Sequence, residues 1–345
     1  MSKRLIISRL LSNSSSNGKF WSIFIILSVI VSFFVIASVG YGEYPITPLN
    51  IVKTILGLPT DNRDYAFVIN SLRLPRIIVA FLVGVGLAIS GTITQAIARN
   101  PLAAPEIIGV NAGATLAAVS LIVWLPDVPF SWLPFAAFAG AGAIALLIYS
   151  LAWQGGSSPL RLILVGIGCE LIATALTDIT ITFGEIDSVS QALVWLAGSV
   201  YGRTWLQVWI LIPWIVIFSG LALLLSKELD VLNLGDEIAL SLGSRVEWQR
   251  GLLLLISVAL AGASVATTGA ISFVGLMSPH LARQLVGASH QELIPIAALM
   301  GGILVVIADL LGRLIFAPLE LPCGIITAAV GAPYFIYLLI KNRSN

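Results

Sequence analysis

Charge is what this chain has least of. Lys, Arg, Asp and Glu together make up 10% of its 345 residues, against roughly 25% in an ordinary water-soluble domain. With 58% hydrophobic residues and a mean hydropathy of +1.01, that scarcity excludes a water-soluble globule and leaves an all-α polytopic membrane protein. Neither sign of charge dominates. The formal net charge is +1, so there is no basic field to attract nucleic acid. Cysteine is equally scarce. Cys169 and Cys323 lie in or beside apolar runs, with no CxxC or Cys/His spacing, and read as plain buried thiols rather than metal ligands or disulfide partners. His280 and His290 are too isolated to form a metal site and read as polar interfacial residues. No GxxxxGK[ST] loop, GxSxG elbow or HExxH pair occurs, so the chain shows no means of hydrolysing ATP or a peptide.

Long apolar runs take the place of what is missing. Ten of them serve as spans: 20–39, 76–98, 107–125, 129–153, 160–183, 205–226, 251–268, 269–283, 293–312 and 322–340. The first follows a basic, Ser/Asn-rich stretch and resembles a signal peptide, but its apolar core exceeds the 7–15 residues of a signal h-region, so it is expected to be retained. Residues 42–74, with Pro45, Pro48 and Pro59, are mixed and polar and are placed outside, carrying one short helix near 49–56. The eighth run is too short for a comfortable crossing and is broken by Gly275 and Pro279. Interrupted helices of that kind line cavities, where freed backbone groups find partners.

Ten spans put both termini on one side, and the basic residues choose which. With the N-terminus inside, the inner segments hold Lys3, Arg4, Arg9, Lys19, Arg99, Arg161, Lys227, Arg245, Arg250, Arg283, Lys341 and Arg343. The outer segments hold Lys53, Arg63, Arg73, Arg76, Arg203 and Arg313. Twelve against six favours cytoplasmic termini.

That layout also puts the stretch 227–250, KELDVLNLGDEIALSLGSRVEWQR, in the cytoplasm. Asn233 precedes Gly235, Asp236 and Glu237, so a short polar cap and two carboxylates fall where a helix N-terminus has free N–H groups. Gly243 is the matching stop. Leu234, Ile238 and Leu242 recur every four residues, with Asp236, Glu237 and Ser241 on the other side. A helix this short cannot span a membrane but can lie on its face and present itself to a partner.

A few charged groups fall within the spans. Glu170 and Asp178 lie eight apart on nearly one face with Thr174 and Thr177, a face suited to a water-filled path or to helix-to-helix hydrogen bonding. Asp309 and Arg313 are four apart and can pair along their helix.

Several stretches together resemble one family. They are LRLPR at 72–76, SGTITQAIARNPLAAPEIIGV at 90–110, LVWLAGSVYGRTW at 193–205, LNLGDEIALSLG at 232–243, GAISFVGLMSPHLAR at 269–283, IADLLGR at 307–313 and LELPCGIITAAVGAPYFIYLL at 319–339. This set is similar to the FecCD permease subunits of ATP-binding-cassette importers for iron-siderophores, haem and cobalamin. The resemblance implies a cytoplasmic tail at 1–19 and one transmembrane permease domain at 20–342, in a bacterial inner membrane. It implies a coupling helix at 232–243, with Leu234, Gly235, Asp236, Glu237, Ile238, Ala239, Leu240, Leu242 and Gly243 meeting an ATPase. It implies an inner gate at Asn100, Pro101 and Leu102, and outer arginines Arg73 and Arg313 meeting acidic residues of an external binding protein. The partners it implies are two ATPase subunits, that binding protein, and a second permease, expected to be a different chain because the tract 193–205 looks closer to the iron(III)-dicitrate branch. The cargo it implies is an iron(III)-siderophore or iron(III)-dicitrate chelate. ATP and Mg would sit on the ATPase, with no cofactor in this chain and no enzymatic activity of its own.

Two other readings stand beside it. Glu170, Asp178 or Asp309 could serve a proton- or ion-coupled secondary transporter, a reading that leaves the cytoplasmic helix unexplained. Within the family, a cobalamin or haem permease is the alternative. Neither reading supplies soft or carboxylate ligands clustered to hold bare iron, so the metal is expected to arrive already wrapped.

Overall fold

The computed structural model describes residues 3–42, 44–60, 62, 64–315 and 317–343. The ends of the terminal tails, and the outer Arg63, lie outside the described residues. Fifteen α-helices follow in order: α1 (Lys3–Gly40), α2 (Pro48–Ile55), α3 (Asp64–Phe67), α4 (Leu74–Ala98), α5 (Val110–Trp124), α6 (Leu133–Ala152), α7 (Pro159–Thr182), α8 (Ile186–Leu196), α9 (Trp205–Leu224), α10 (Ser226–Asn233), α11 (Asp236–Ser241), α12 (Val246–Thr268), α13 (Val274–Val286), α14 (His290–Leu314) and α15 (Cys323–Arg343). Among the described residues there is no named strand.

Eight helical stretches are long and apolar enough to cross a membrane. α5 is a ninth apolar helix, but its 15 residues rise only about 22 Å against a hydrocarbon core of about 30 Å. α13 is shorter still at 13 residues. The expected ten crossings are thus eight full-length stretches, one short helix and one half-length helix.

Two boundaries differ from the sequence reading. The second span does not start at Arg76: helix runs unbroken from Asp64 to Ala98, with a π-helical turn at Val68–Arg73. Pro75 explains the turn, because a proline inside a helix lacks an N–H and crowds the carbonyl four residues back. The eighth run also departs from expectation. Gly275 and Pro279 lie inside a continuous helix, and the break falls earlier, where Gly269 and Phe273 both take positive φ (78° and 68°) and 269–273 is not helical.

Burial separates the spans into a centre and a shell. The most apolar windows of 64–98, α12 and α14 are 83%, 78% and 67% buried, against 17% to 28% for the other five. α4 packs against α14, α12, α13 and α9. Glycine lets α4 and α14 touch backbone to backbone: a Cβ on Gly84 would lie 2.2 Å from the Gly301 carbonyl oxygen, and one on Gly301 would lie 2.3 Å from that of Gly84. α4 and α12 are joined by hydroxyls, with Ser90 Oγ 2.7 Å from Ser257 Oγ and Thr94 Oγ1 3.1 Å from it. In lipid there is no hydrophobic drive between helices, so close small-residue packing and such hydrogen bonds hold a bundle together. The shell helices turn Leu146, Leu171, Trp209 and Leu224 outward, as a surface solvated by lipid allows.

Three of the tracts that carry the resemblance meet in space. Ser199 N donates to Thr268 O (2.7 Å) and Gly324 N to Gly198 O (2.9 Å), so the loop after α8, the last residue of α12 and the first turn of α15 satisfy one another's backbone groups inside the bundle.

Candidate coupling surface and translocation path

The polar stretch 227–250 folds as two short helices, α10 and α11, and the first turn of α12, rather than as one short helix. α10 continues the chain just beyond α9 and is anchored by Leu229 and Leu232, both buried. Asn233 is therefore the last residue of α10 and not the cap of α11. The N-cap is Gly235, at φ 110°, with no side-chain cap bond. Gly243 does stop α11: Ser244 N donates to Ala239 O (3.0 Å) and Gly243 N to Leu240 O (2.9 Å), the paired bonds of a Schellman motif, with Gly243 at φ 81°.

The apolar side chains of α11 are turned out, but the polar side is not opposed to them as expected: Glu237 and Ser241 are exposed too, and only Asp236 turns toward the body. Leu234, Ile238, Leu240 and Leu242 are 57%, 49%, 61% and 63% exposed. Ala239 alone is buried, against the body. Trp248, at the start of α12, adds a 70% exposed indole to the same stretch of chain. Glu237 and Gly243 are exposed as well.

Asp236 faces inward. Its Oδ1 accepts from Nη2 of Arg250 at 2.6 Å and from Nη2 of Arg99. Arg250 is buried to 1%; its Nη1 also donates to the Ser157 carbonyl and hydroxyl and lies 3.4 Å from Glu247 Oε1. Sequence reasoning counted Arg99 and Arg250 only as inner charges and missed this junction. The available signal was their position at the two ends where apolar runs meet polar ones.

Arg99 ends α4 in the left-handed region, φ 49°, and leads into a tight turn. Asn100 Oδ1 accepts from Leu102 N (2.9 Å), and Ala103 N donates to Asn100 O (3.0 Å). Asn100 and Pro101 are exposed and Leu102 half-buried. A cavity of about 570 Å³ opens between Ala98 and Arg99 at the end of α4, the start of α7 and the start of α11. Beyond the turn, Glu106 lies in a 3-10 turn (Pro105–Ile108). Its Oε1 accepts from Asn111 Nδ2 at 3.4 Å. Burial pushes its carboxyl up to about 7, and nearby Glu170 adds to the rise.

The expected face on α7 is only partly assembled. Asp178 and Thr174 are exposed and Glu170 is half-buried, but Thr177 turns inward, its hydroxyl donating to Ala173 O at 2.8 Å. Neither Glu170 nor Asp178 has an ion-pair partner among the described residues.

At the opposite end the two outer arginines differ from expectation. Arg73 was expected at the mouth of its span, free to grip a carboxylate. It is buried, and donates to Val39 O (2.6 Å) and Tyr44 O (2.7 Å). Arg313 is buried as well; its Nη atoms reach Ser38 O and Tyr41 O at 3.3 Å, and its Nε lies 3.3 Å from Asp309 Oδ2. Both guanidiniums satisfy the orphan carbonyls at the end of α1, so neither offers its fork outward in this conformation. The sequence reading also missed Arg76, which holds Asp309 (2.7 Å) and Glu320 (2.8 Å) and lies over the Tyr201 ring.

A short helix that shows Ile238 and Leu240, with Leu234 and Leu242 beside its two ends, gains nothing from holding these side chains in water unless another apolar surface covers them. A lipid-solvated bundle that carries such a helix beside a tight turn has the build of a membrane permease. The chain matches the FecCD transport family over residues 29–341, and it belongs to that family. It is 44% identical over 338 residues to the "Probable siderophore transport system permease protein YfhA" of Bacillus subtilis (strain 168), covering 96% of this chain and 98% of that one. It is 42% identical over 280 residues to the "Fe(3+) dicitrate transport system permease protein FecD" of Escherichia coli (strain K12), covering 81% and 87%. Among solved structures it is similar to an inward-facing conformation of a transporter assigned to the metal-chelate ABC type, with TM-score 0.84, 30% identity and coverage of 93% of this chain and 99% of that one.

Proposed function

We propose that the chain is the permease subunit of an ATP-binding-cassette importer that carries an iron(III)-siderophore or iron(III)-dicitrate type chelate across a bacterial plasma membrane into the cytoplasm. The single observation that carries this reading is the outward apolar surface of Ile238 and Leu240 on α11, with Leu234 and Leu242 flanking it. It suits the cleft of a separate ATPase, which would hold the ATP and Mg. The chain needs no cofactor of its own. A second permease subunit, expected to be a different chain, completes the path, and an external binding protein delivers the cargo to the end that carries Arg73, Arg76 and Arg313. The turn at Asn100, Pro101 and Leu102 acts as the inner gate, and Glu170 and Asp178 face the path.

The experiment is transport in vesicles of the assembled complex. Uptake of a labelled ferric chelate is expected to stop when ATP is depleted with the proton gradient held. Uptake that instead follows the gradient would favour a secondary transporter. A panel of ferric chelates against cobalamin and haem identifies the cargo class. The orientation is tested by Glu237→Cys, which is expected to react with an impermeant thiol reagent only after the membrane is opened. Labelling from outside the intact cell would invert the layout.

A further inference from the structure

Asp236 is shared between two arginines whose circumstances differ. Arg250 is fixed: its side chain is 2% exposed and also holds Ser157 and Glu247. Arg99 is 35% exposed, and Asp236 is the partner its guanidinium has among the described residues. Arg99 is also one of two non-glycine residues with positive φ among the described residues, the other being Phe273. Asparagine or glycine would adopt that conformation with less strain, so the turn alone does not account for an arginine there. Gly235, at φ 110°, brings α11 close: a Cβ on it would lie 3.5 Å from Arg99 Nη1. The cavity of about 570 Å³ beside the pair leaves room for Arg99 and Asp236 to move without displacing packed side chains.

We infer that the Asp236–Arg99 pair transmits movement of α11 to the gate turn, while the Asp236–Arg250 pair holds α11 to the body. Arg99 is then a positioning residue for the transport step. It touches neither cargo nor nucleotide, and acts by pulling the turn at Asn100 when a partner displaces α11. The inference rests on the reading of the chain as an ATPase-driven permease. Coupling of two sites through a contact of this kind is worth a factor of roughly 5 to 150.

The test is the number of ferric chelate molecules moved per ATP hydrolysed by the complete complex in proteoliposomes. Arg99→Asn keeps a residue that tolerates the left-handed turn and removes the charge. It is expected to lower that ratio about tenfold, or about 1.4 kcal/mol of coupling. Arg99→Lys, which keeps the charge at a similar length, is expected to stay within about threefold of wild type. Arg99→Gln is read beside Arg99→Asn, so that a folding defect in one variant does not decide the outcome. An unchanged ratio in the two neutral variants, or a loss in Arg99→Lys as large as theirs, overturns the inference alone. A wild-type complex that moves cargo without consuming ATP overturns the permease reading and the inference with it.

Discussion

Arg76 and Asp309, 233 positions apart in sequence, form a buried ion pair that joins α4 to α14. Nη2 and Nε of the arginine lie 2.7 and 3.0 Å from one carboxylate oxygen. The Asp309–Arg313 pair expected along one helix is present but longer, at 3.3 Å. The stronger partner comes from another helix, and Asp309 is tied into a network that crosses between helices.

Breaking that pair from one side should be severe. Removing one member of a buried pair leaves an uncompensated charge and typically costs about 3–5 kcal/mol. Asp309→Ala is expected to lower the thermal midpoint in detergent sharply. The double variant Arg76→Met with Asp309→Leu should be less damaged than either single change, because it removes both members of the closest pair and leaves Arg313 its bonds to the Ser38 and Tyr41 carbonyls and Glu320 its partial exposure. A double variant worse than both singles would contradict this account.

The outward face of α11 should bind the ATPase. Covering a large apolar side chain is worth roughly 1.5–3 kcal/mol, so Leu240→Asp is expected to weaken ATPase association by about tenfold or more while the spans still insert. Ala239→Pro removes the Ala239 N to Gly235 O bond (2.9 Å) and should abolish coupling, since proline inside a helix costs about 3 kcal/mol. Pull-down affinity and cargo-stimulated ATP hydrolysis measure both.

Stability should fall as pH rises through a window set by Glu106. Its carboxyl has an ordinary value of 4.5 and is raised by burial to about 7. Above about 4.5 the unfolded chain releases the proton that the folded chain retains until about 7, so the stabilisation present at low pH is lost across that interval. Thermal midpoints between about pH 5 and about pH 8 should slope downward, and Glu106→Gln should flatten the slope. An identical slope in the variant would assign the effect to other groups.

The glycine contact between α4 and α14 admits no side chain. Gly84→Ala puts a methyl 2.2 Å from a backbone oxygen, a clash that neither helix can relieve by a rotamer change; overpacking of this kind costs about 1–3 kcal/mol or more. Gly142→Ala meets nothing within 4 Å and should be neutral or slightly stabilising. Size-exclusion profiles of tagged protein after heating compare the two.

Much of the architecture was legible in the chain because lipid imposes a simple rule: an apolar run of about 20 residues has to be a helix. The short helix at 236–241 with its exposed apolar side chains was legible for a related reason, since a polar stretch bounded by glycines between apolar runs leaves the bundle and has little to bury against. The helices α8 and α10 were not seen, because SKELDVLN and the residues around 186–196 are polar enough to pass for loops. Only Leu229 and Leu232, buried on contact with the rest of the bundle, reveal α10 as packed structure. The exposed docking arginines were misjudged for a similar reason. A charge at the end of a span has the same spacing whether it meets solvent or caps the carbonyls of another helix.

Composition and periodicity by themselves determined that this is a multi-pass helical membrane protein, where nearly all its spans lie, and which polar stretch carries the short helix between spans. Those properties depend on local hydropathy, which each residue carries with it. Tertiary structure alone decided which spans form the centre, which way α11 turns its apolar face, and that Arg99, Asp236 and Arg250 converge. These depend on contacts between residues as far apart as Arg76 and Asp309, 233 positions, set by backbone approach and by the demand that buried charges find an opposite charge or a hydrogen-bond partner.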